Sequence, residues 1–298
     1  MVQTLIEPTA TVSVPPSPTV EPGKWAPRRA RAVRLIRRPL FLLTGAVVAF
    51  VIAAAFAPST FTSYDPYATS PSERLQAPSG THLFGTDDVG RDLWARTLYG
   101  STLTIQAALI AVGIALVAGL ALGVLSGFFG GIADSVIMRA VDVLLAIPAL
   151  LLALAIVTAL GFGTVPVAIA VGIGILPGFA RTTRSEVLRV KTLPYVEAAR
   201  AGGASWTRVL LRHILPNSWG PVMVLAVLDF GTAVIAVAAL SFLGFGAAPP
   251  QAEWGTLVAN GRNFLVTAPW VSLMPGLVVA TTVLSLNHLA KTLQELRR

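Results

Sequence analysis

Of the chain's 298 residues, 54% are hydrophobic and only 12% charged, about half the ~25% of a soluble domain, so much of its surface must face lipid. The formal charge of +8 lies in blocks between apolar stretches, which reads as an orientation signal and argues against nucleic-acid binding. With no cysteine and three widely separated histidines, His82, His213 and His288, disulfides and thiolate metal sites are excluded and a histidine metal cluster is not expected.

Residues 1–23, rich in Pro, Thr, Val and Ser without a period, read as a disordered tail. They do not read as a signal peptide, because the basic cluster follows them and no small-residue cleavage site stands out. Residues 24–38 gather Arg28, Arg29, Arg31, Arg34, Arg37 and Arg38 into a predicted basic interfacial helix. From residue 39 to 298 we expect one transmembrane domain of six spans. The first is 40–57, and the second lies within the uncharged stretch 101–133. The uncharged run 143–180 is nearly long enough for two spans of ~20 residues. Divided at 161–166, it gives a third span starting near residue 136 and a fourth ending at 180. Arg139 and Asp142, three apart, are then expected as a structural pair at the entrance of the third span. The fifth and sixth spans are 220–243 and 271–286, joined by a polar connection, 244–269.

Orientation follows from the basic residues. Seven precede the first span, and seven more lie between the fourth and fifth: Arg181, Arg184, Arg189, Lys191, Arg200, Arg208 and Arg212. The connection between spans one and two has Arg74, Arg91 and Arg96 against Asp65, Glu73, Asp87, Asp88 and Asp92. Positive charge marks the cytoplasmic side. Both termini and the 181–218 loop are therefore expected to be cytoplasmic, and the 58–100 segment extracytoplasmic. The stretch "GTDDVGRD" has the flavour of a calcium loop, but Asp87, Asp88, Gly90 and Asp92 lack EF-hand spacing, so calcium is not expected.

Within the 181–218 loop stands "EAARAGGASWTRVLLRHILP", residues 197–216. Pro194 suits a helix start, Glu197 to Ala201 favour helix, and Gly202 and Gly203 end it. Ser205 can cap a second helix running to Ile214, with Pro216 marking re-entry into span five. Val209, Leu210 and Ile214 share one side, and Arg208 and Arg212 another. On composition alone this is an amphipathic connector on the inner leaflet, its arginines toward anionic lipid.

The same stretch resembles the EAA loop of ABC-importer permeases, E-A-A, three residues, G, nine residues, I, any residue, L-P. Glu197, Ala198, Ala199, Gly203, Leu215 and Pro216 match in register, while His213 stands at the isoleucine position with Ile214 after it. "PSGTHLFGTDDVGRDLWARTLYGS" (78–101), "GGIADSVIMRAVDVLLAIP" (130–148) and "LSFLGFGAAPPQAEWG" (240–255) are similar to the C-type permease subunit of dipeptide/oligopeptide importers. Two departures are Val237, where the family often has a carboxylate, and the sequence after Asn287.

The resemblance implies an all-α, type I ABC-importer permease in a bacterial inner membrane. It implies a homologous second permease completing the path, two ATPase subunits that bind ATP and each receive an EAA helix, and an extracytoplasmic peptide-binding protein. Cargo would be dipeptides or oligopeptides, with nickel, glutathione or another small solute as alternatives. The chain lacks G-x-x-x-x-G-K-[ST], so no nucleotide cofactor is expected in it. No paired carboxylates, Ser/His set or metal site at membrane depth supports a membrane hydrolase, and no catalytic residue is assigned. A self-contained channel or carrier would not need a docking element between spans four and five. Asp229, inside span five, would either touch a peptide's amine or bond to a neighbouring helix.

Overall fold

The computed structural model describes residues 39–297, so the predicted tail and basic interfacial helix lie outside the described residues. These residues form helices joined by loops and turns, with an isolated β-bridge between Thr86 and Asp92. Helix α1 spans Pro39–Phe56, α2 Leu93–Phe129, α3 Gly131–Ala146, α4 Ala149–Leu160 and α5 Thr164–Lys191. The short α6, Pro194–Ala201, precedes the long α7, Trp206–Phe242; α8, Trp254–Gly261, and α9, Trp270–Arg297, complete the chain. Singly, α1, α2, α5, α7 and α9 are long and apolar enough to cross a membrane, and α3 with α4 supplies a sixth span only as a bent pair.

That bent pair takes the place of the expected third span. The two helices meet at 95°, and Pro148 is the cause. It has no N–H for the helical ladder, and it drives the preceding residue out of the helical region. Ile147 accordingly adopts φ −95°, ψ 129°. The expected Arg139–Asp142 pair does not form either, because Asp142 reaches across to Arg181 on α5 at 2.6 Å. Both partners are more than half exposed, which makes the pair worth little.

Several helices overrun their expected spans. At ~1.5 Å per residue the 37 residues of α2 extend about 55 Å, well beyond a hydrocarbon core of ~30 Å. Asp92 starts this helix by accepting the Ala95 N–H at 2.7 Å, so residues 93–100 are its first turns and not loop. Likewise α5 continues past residue 180 to Lys191, and α9 past 286 to Arg297.

The centre of the bundle is the contact between α2 and α5. Gly119, Gly123 and Gly127 recur every four residues and share one helix face. A Cβ at each would lie 2.4 Å from Phe179 Cβ, 2.5 Å from Thr183 Cβ and 2.9 Å from Val187 Cγ1, respectively. Only hydrogen fits, and the backbones approach closely, as small residues allow between helices in lipid. Ala111 and Ala115 continue the same spacing, and Phe179, Ala180 and Val187 are fully buried.

This contact makes a stability prediction. Gly123→Ala introduces a methyl with no room, and overpacking of this kind costs about 1–3 kcal/mol. Gly113→Ala, at a position with nothing within 4 Å of an added Cβ, should be neutral. Thermal unfolding of the purified protein in detergent should show a lower Tm for the first and an unchanged Tm for the second. Equal melting of the two variants would refute the close-contact account.

Candidate functional site

At the end of the bundle where α5 stops, the chain builds a compact helical knob. Pro194 occupies the first turn of α6, where its missing N–H is no loss. The helix closes with a Schellman arrangement: Ala204 N–H bonds the Ala199 carbonyl and Gly203 N–H that of Arg200, both at 3.0 Å. Gly203 holds φ at 79°, a conformation that a side chain would strain. Ser205 then caps the start of α7, accepting the Arg208 N–H at 3.4 Å.

The expected break at Pro216 is absent, since helix runs on from Trp206 to Phe242. Residues Leu210–Ile214 widen into one π-helical turn, with Leu215 N–H reaching back to the Leu210 carbonyl. The wider turn makes room for the ring of Pro216, which would otherwise crowd the carbonyl four residues earlier. Asn217 Nδ2 and Ser218 Oγ donate to the carbonyls of His213 and Ile214 at 2.6 and 2.9 Å. The knob and span five are thus one continuous rod.

The inner side of the knob is anchored. Val196, Val209 and Ile214 are fully buried with Val124 and Phe128 of α2 and Val187 and Val190 of α5. Trp206 lies against Phe129 with ring centroids 5.7 Å apart. Lys191 Nζ donates to the Phe128 carbonyl at 2.7 Å. Arg184 grips Asp134 of α3 through two hydrogen bonds of 2.6 Å, and Ser126 donates to the same carboxylate.

The outer side is largely exposed. Of the residues singled out by sequence, Glu197, Ala198, Gly203 and Pro216 are exposed, while Ala199 and Leu215 are half-buried. The Glu197 side chain has no partner among the described residues. The pattern therefore named mostly the outward surface, and the shared side read for Val209, Leu210 and Ile214 is the anchored one. Val196 was the anchor that sequence reasoning missed.

Asp229 is brought into none of this. It sits half-buried about midway along α7, with no hydrogen-bond or ion-pair partner among the described residues. Of its two expected roles, a bond to a neighbouring helix of the same chain is not made. Val237, two turns on, is 1% exposed in the packed core, where a carboxylate would be unpaired.

The opposite end is closed by the 58–92 segment and the α7–α9 connection. Asp87 accepts the N–H groups of Val89 and Arg91 and the Arg91 guanidinium at 2.6 Å. Asp92 bonds His82 Nδ1 at 2.8 Å while it caps α2. These two carboxylates of the "GTDDVGRD" stretch are committed to protein donors. Glu253, a residue that sequence reasoning passed over, is 1% exposed and caps α8. It accepts hydroxyls from Thr104 of α2 at 3.3 Å and Thr256 at 3.1 Å, and burial pushes its carboxyl above the usual range.

Among the described residues, a bundle of long apolar helices with an anchored helical knob at one end has the form of a multi-pass membrane protein. Residues 119–296 match the binding-protein-dependent transport system inner membrane component, and the chain belongs to that family. It is 40% identical to the dipeptide transport system permease protein DppC of Alkalihalophilus pseudofirmus, over 93% of this chain and 89% of that one. It is 39% identical to the glutathione transport system permease protein GsiD of Pectobacterium atrosepticum, over 88% and 87%. The fold is similar to that of the MetNI methionine ABC transporter in an inward-facing conformation, with a TM-score of 0.55 at 20% identity over 69% of this chain and 96% of that one. The protein is a multi-pass inner-membrane permease of the ABC type, not an enzyme, and such a permease works with ATPase and substrate-binding partners.

Proposed function

We propose that this chain is one of two homologous permease subunits of a peptide importer, with two ATPase subunits docked on the knob of residues 194–214 and its counterpart. The observation that carries the reading is the two-sided knob: Glu197, Ala198, Gly203 and Pro216 are exposed while its other side is locked to α2 and α5. An ATPase groove that receives α6 moves a rigid body, because the buried valines leave no slack between knob and bundle. The motion passes directly into α7, which is continuous from Trp206 past Asp229 to Phe242. Glu197 and Gly203 would make the ATPase contact, Ala198 the close approach, and Ala199, Leu215 and Pro216 the seat. The relatives' names support peptide as cargo, and a relative named for glutathione, itself a small peptide, keeps that solute within the same class.

Coupling is tested at Glu197 and Gly203. Glu197→Lys alters a side chain with no partner in the chain, and Gly203→Val forces a side chain into a left-handed conformation at about 1–2 kcal/mol. Both variants should reach normal membrane levels and lose peptide uptake, through weaker ATPase association or ATP hydrolysis no longer linked to uptake. Normal uptake by both would end the coupling proposal.

The charge imbalance supports a cytoplasmic knob and termini, with the 58–92 segment outside. Ser79 and Ser205 are exposed at opposite ends of the bundle. Single cysteines placed there should react with an impermeant maleimide from opposite faces of the membrane, Ser79→Cys from outside. Reaction from one face at both positions would overturn the assignment.

Asp229, without a partner in this chain, is proposed to meet the ammonium of a passing peptide, for which an unpaired desolvated charge costs several kcal/mol. Asp229→Asn should then reduce uptake of free-amine peptides more than of N-acetylated ones in the same vesicles, with ATPase binding unchanged. An equal reduction of both would remove Asp229 from the path.

A further inference from the structure

A polar cavity of about 520 Å³ opens between the start of α2, the end of α7 and α8, within the ~300–1,000 Å³ range of small-ligand sites. It lies at the end of the bundle away from the knob. The residues that line it include Arg91, Arg96, Arg262, Asn260 and Asn263, with Asp88 as the one acidic residue among them.

The three arginines are in different states. Arg91 is held by Asp87 at 2.6 Å. Arg96 is 2% exposed; one of its terminal nitrogens donates to the Pro66 carbonyl at 2.9 Å, but its Nε has no hydrogen-bond partner, with the already shared Asp87 carboxylate at 3.6 Å. Arg262 is exposed and makes no ion pair among the described residues. An unmatched N–H on a buried guanidinium costs free energy that an incoming acceptor recovers. Asp87 serves two arginines and Asp88 is the other carboxylate beside the cavity, so three arginines meet two carboxylates and positive charge is in excess. The complement is a compact anion with paired oxygens, which a guanidinium fork binds bidentately. Asp88 repels a second negative charge and favours a ligand carrying a single carboxylate at this point.

We propose that this cavity is a subsite for the terminal α-carboxylate of the transported peptide, with Arg262 as its mobile contact and Arg96 as its fixed one; the proposal rests on the peptide reading above. It puts carboxylate recognition at the mouth and ammonium recognition at Asp229 deeper in the same helix, so that a peptide would be handed along α7 with its polarity preserved.

The test uses the complete importer in lipid nanodiscs without its binding protein. Saturation-transfer NMR should detect weak binding of Ala-Ala and little of its C-terminal amide. Arg262→Gln, a change at an exposed side chain that leaves the fold intact, should weaken Ala-Ala binding about tenfold, as loss of one charge-assisted contact implies. Arg262→Lys should recover part of it. Equal binding of acid and amide, or an unchanged Arg262→Gln variant, would overturn the proposal. So would an Arg262→Gln variant whose only defect is weaker docking of the peptide-loaded binding protein, since the carboxylate recognised would then belong to that protein. Uptake measured beside it with the binding protein present separates the two readings. A wild-type complex that imports no peptide ends the peptide reading and this subsite with it. Peptide import by the wild type that Arg262→Gln leaves untouched ends the subsite alone.

Discussion

The approach of α2 to α5 over three glycines is the constraint on which the rest of the fold depends. In lipid there is no hydrophobic force between helices, so association must come from close packing. Hydrogen at Gly119, Gly123 and Gly127 brings Phe179, Thr183 and Val187 within contact of the α2 backbone. Everything else is hung on this pair. The knob's valines dock where the stripe ends, α3 is tied to it through Asp134 and Arg184, and Glu253 reaches Thr104 from the opposite end.

A bundle organised this way is stiff along two helices and held more loosely elsewhere. The polar ties cluster at the two ends, and the middle is alanine, valine and glycine. Under the coupling proposed above, such a construction would pass displacement from the knob along α7 to the opposite end. The π-turn before Pro216 belongs to this logic, because it lets a proline sit within the rod without severing it.

How much of this was legible in the sequence varies by element. Apolar run length and the absence of charge located the long helices, since lipid demands both. Helices run past the expected spans, as at Lys191 and Arg297, because hydropathy reports the lipid boundary and not the end of hydrogen bonding. The break at Pro148 was missed because the run around it is uniformly apolar, although a proline there already speaks against a straight helix. The knob's exposed residues and its Val209–Ile214 side were found by their pattern, whereas Val196 and Glu253 depend on partners distant in sequence: Val196 is buried in one cluster with Val124 and Phe128, and Glu253 meets Thr104. The four-residue glycine spacing was present and passed over. Asp229 was found because a charge in an apolar run stands out, but its lack of a partner only coordinates reveal.

The elbow between α3 and α4 leaves this segment dependent on its neighbour. With 16 and 12 residues these helices measure about 24 and 18 Å, and neither alone bridges the ~30 Å of a bilayer core. Their place in the bundle is taken from α5, to which α3 is tied by the Asp134–Arg184 pair and against which α4 packs. The segment 131–160 is thus held by contacts to a helix that follows it in the chain, whereas α2 and α5 are each long and apolar enough to cross a bilayer alone.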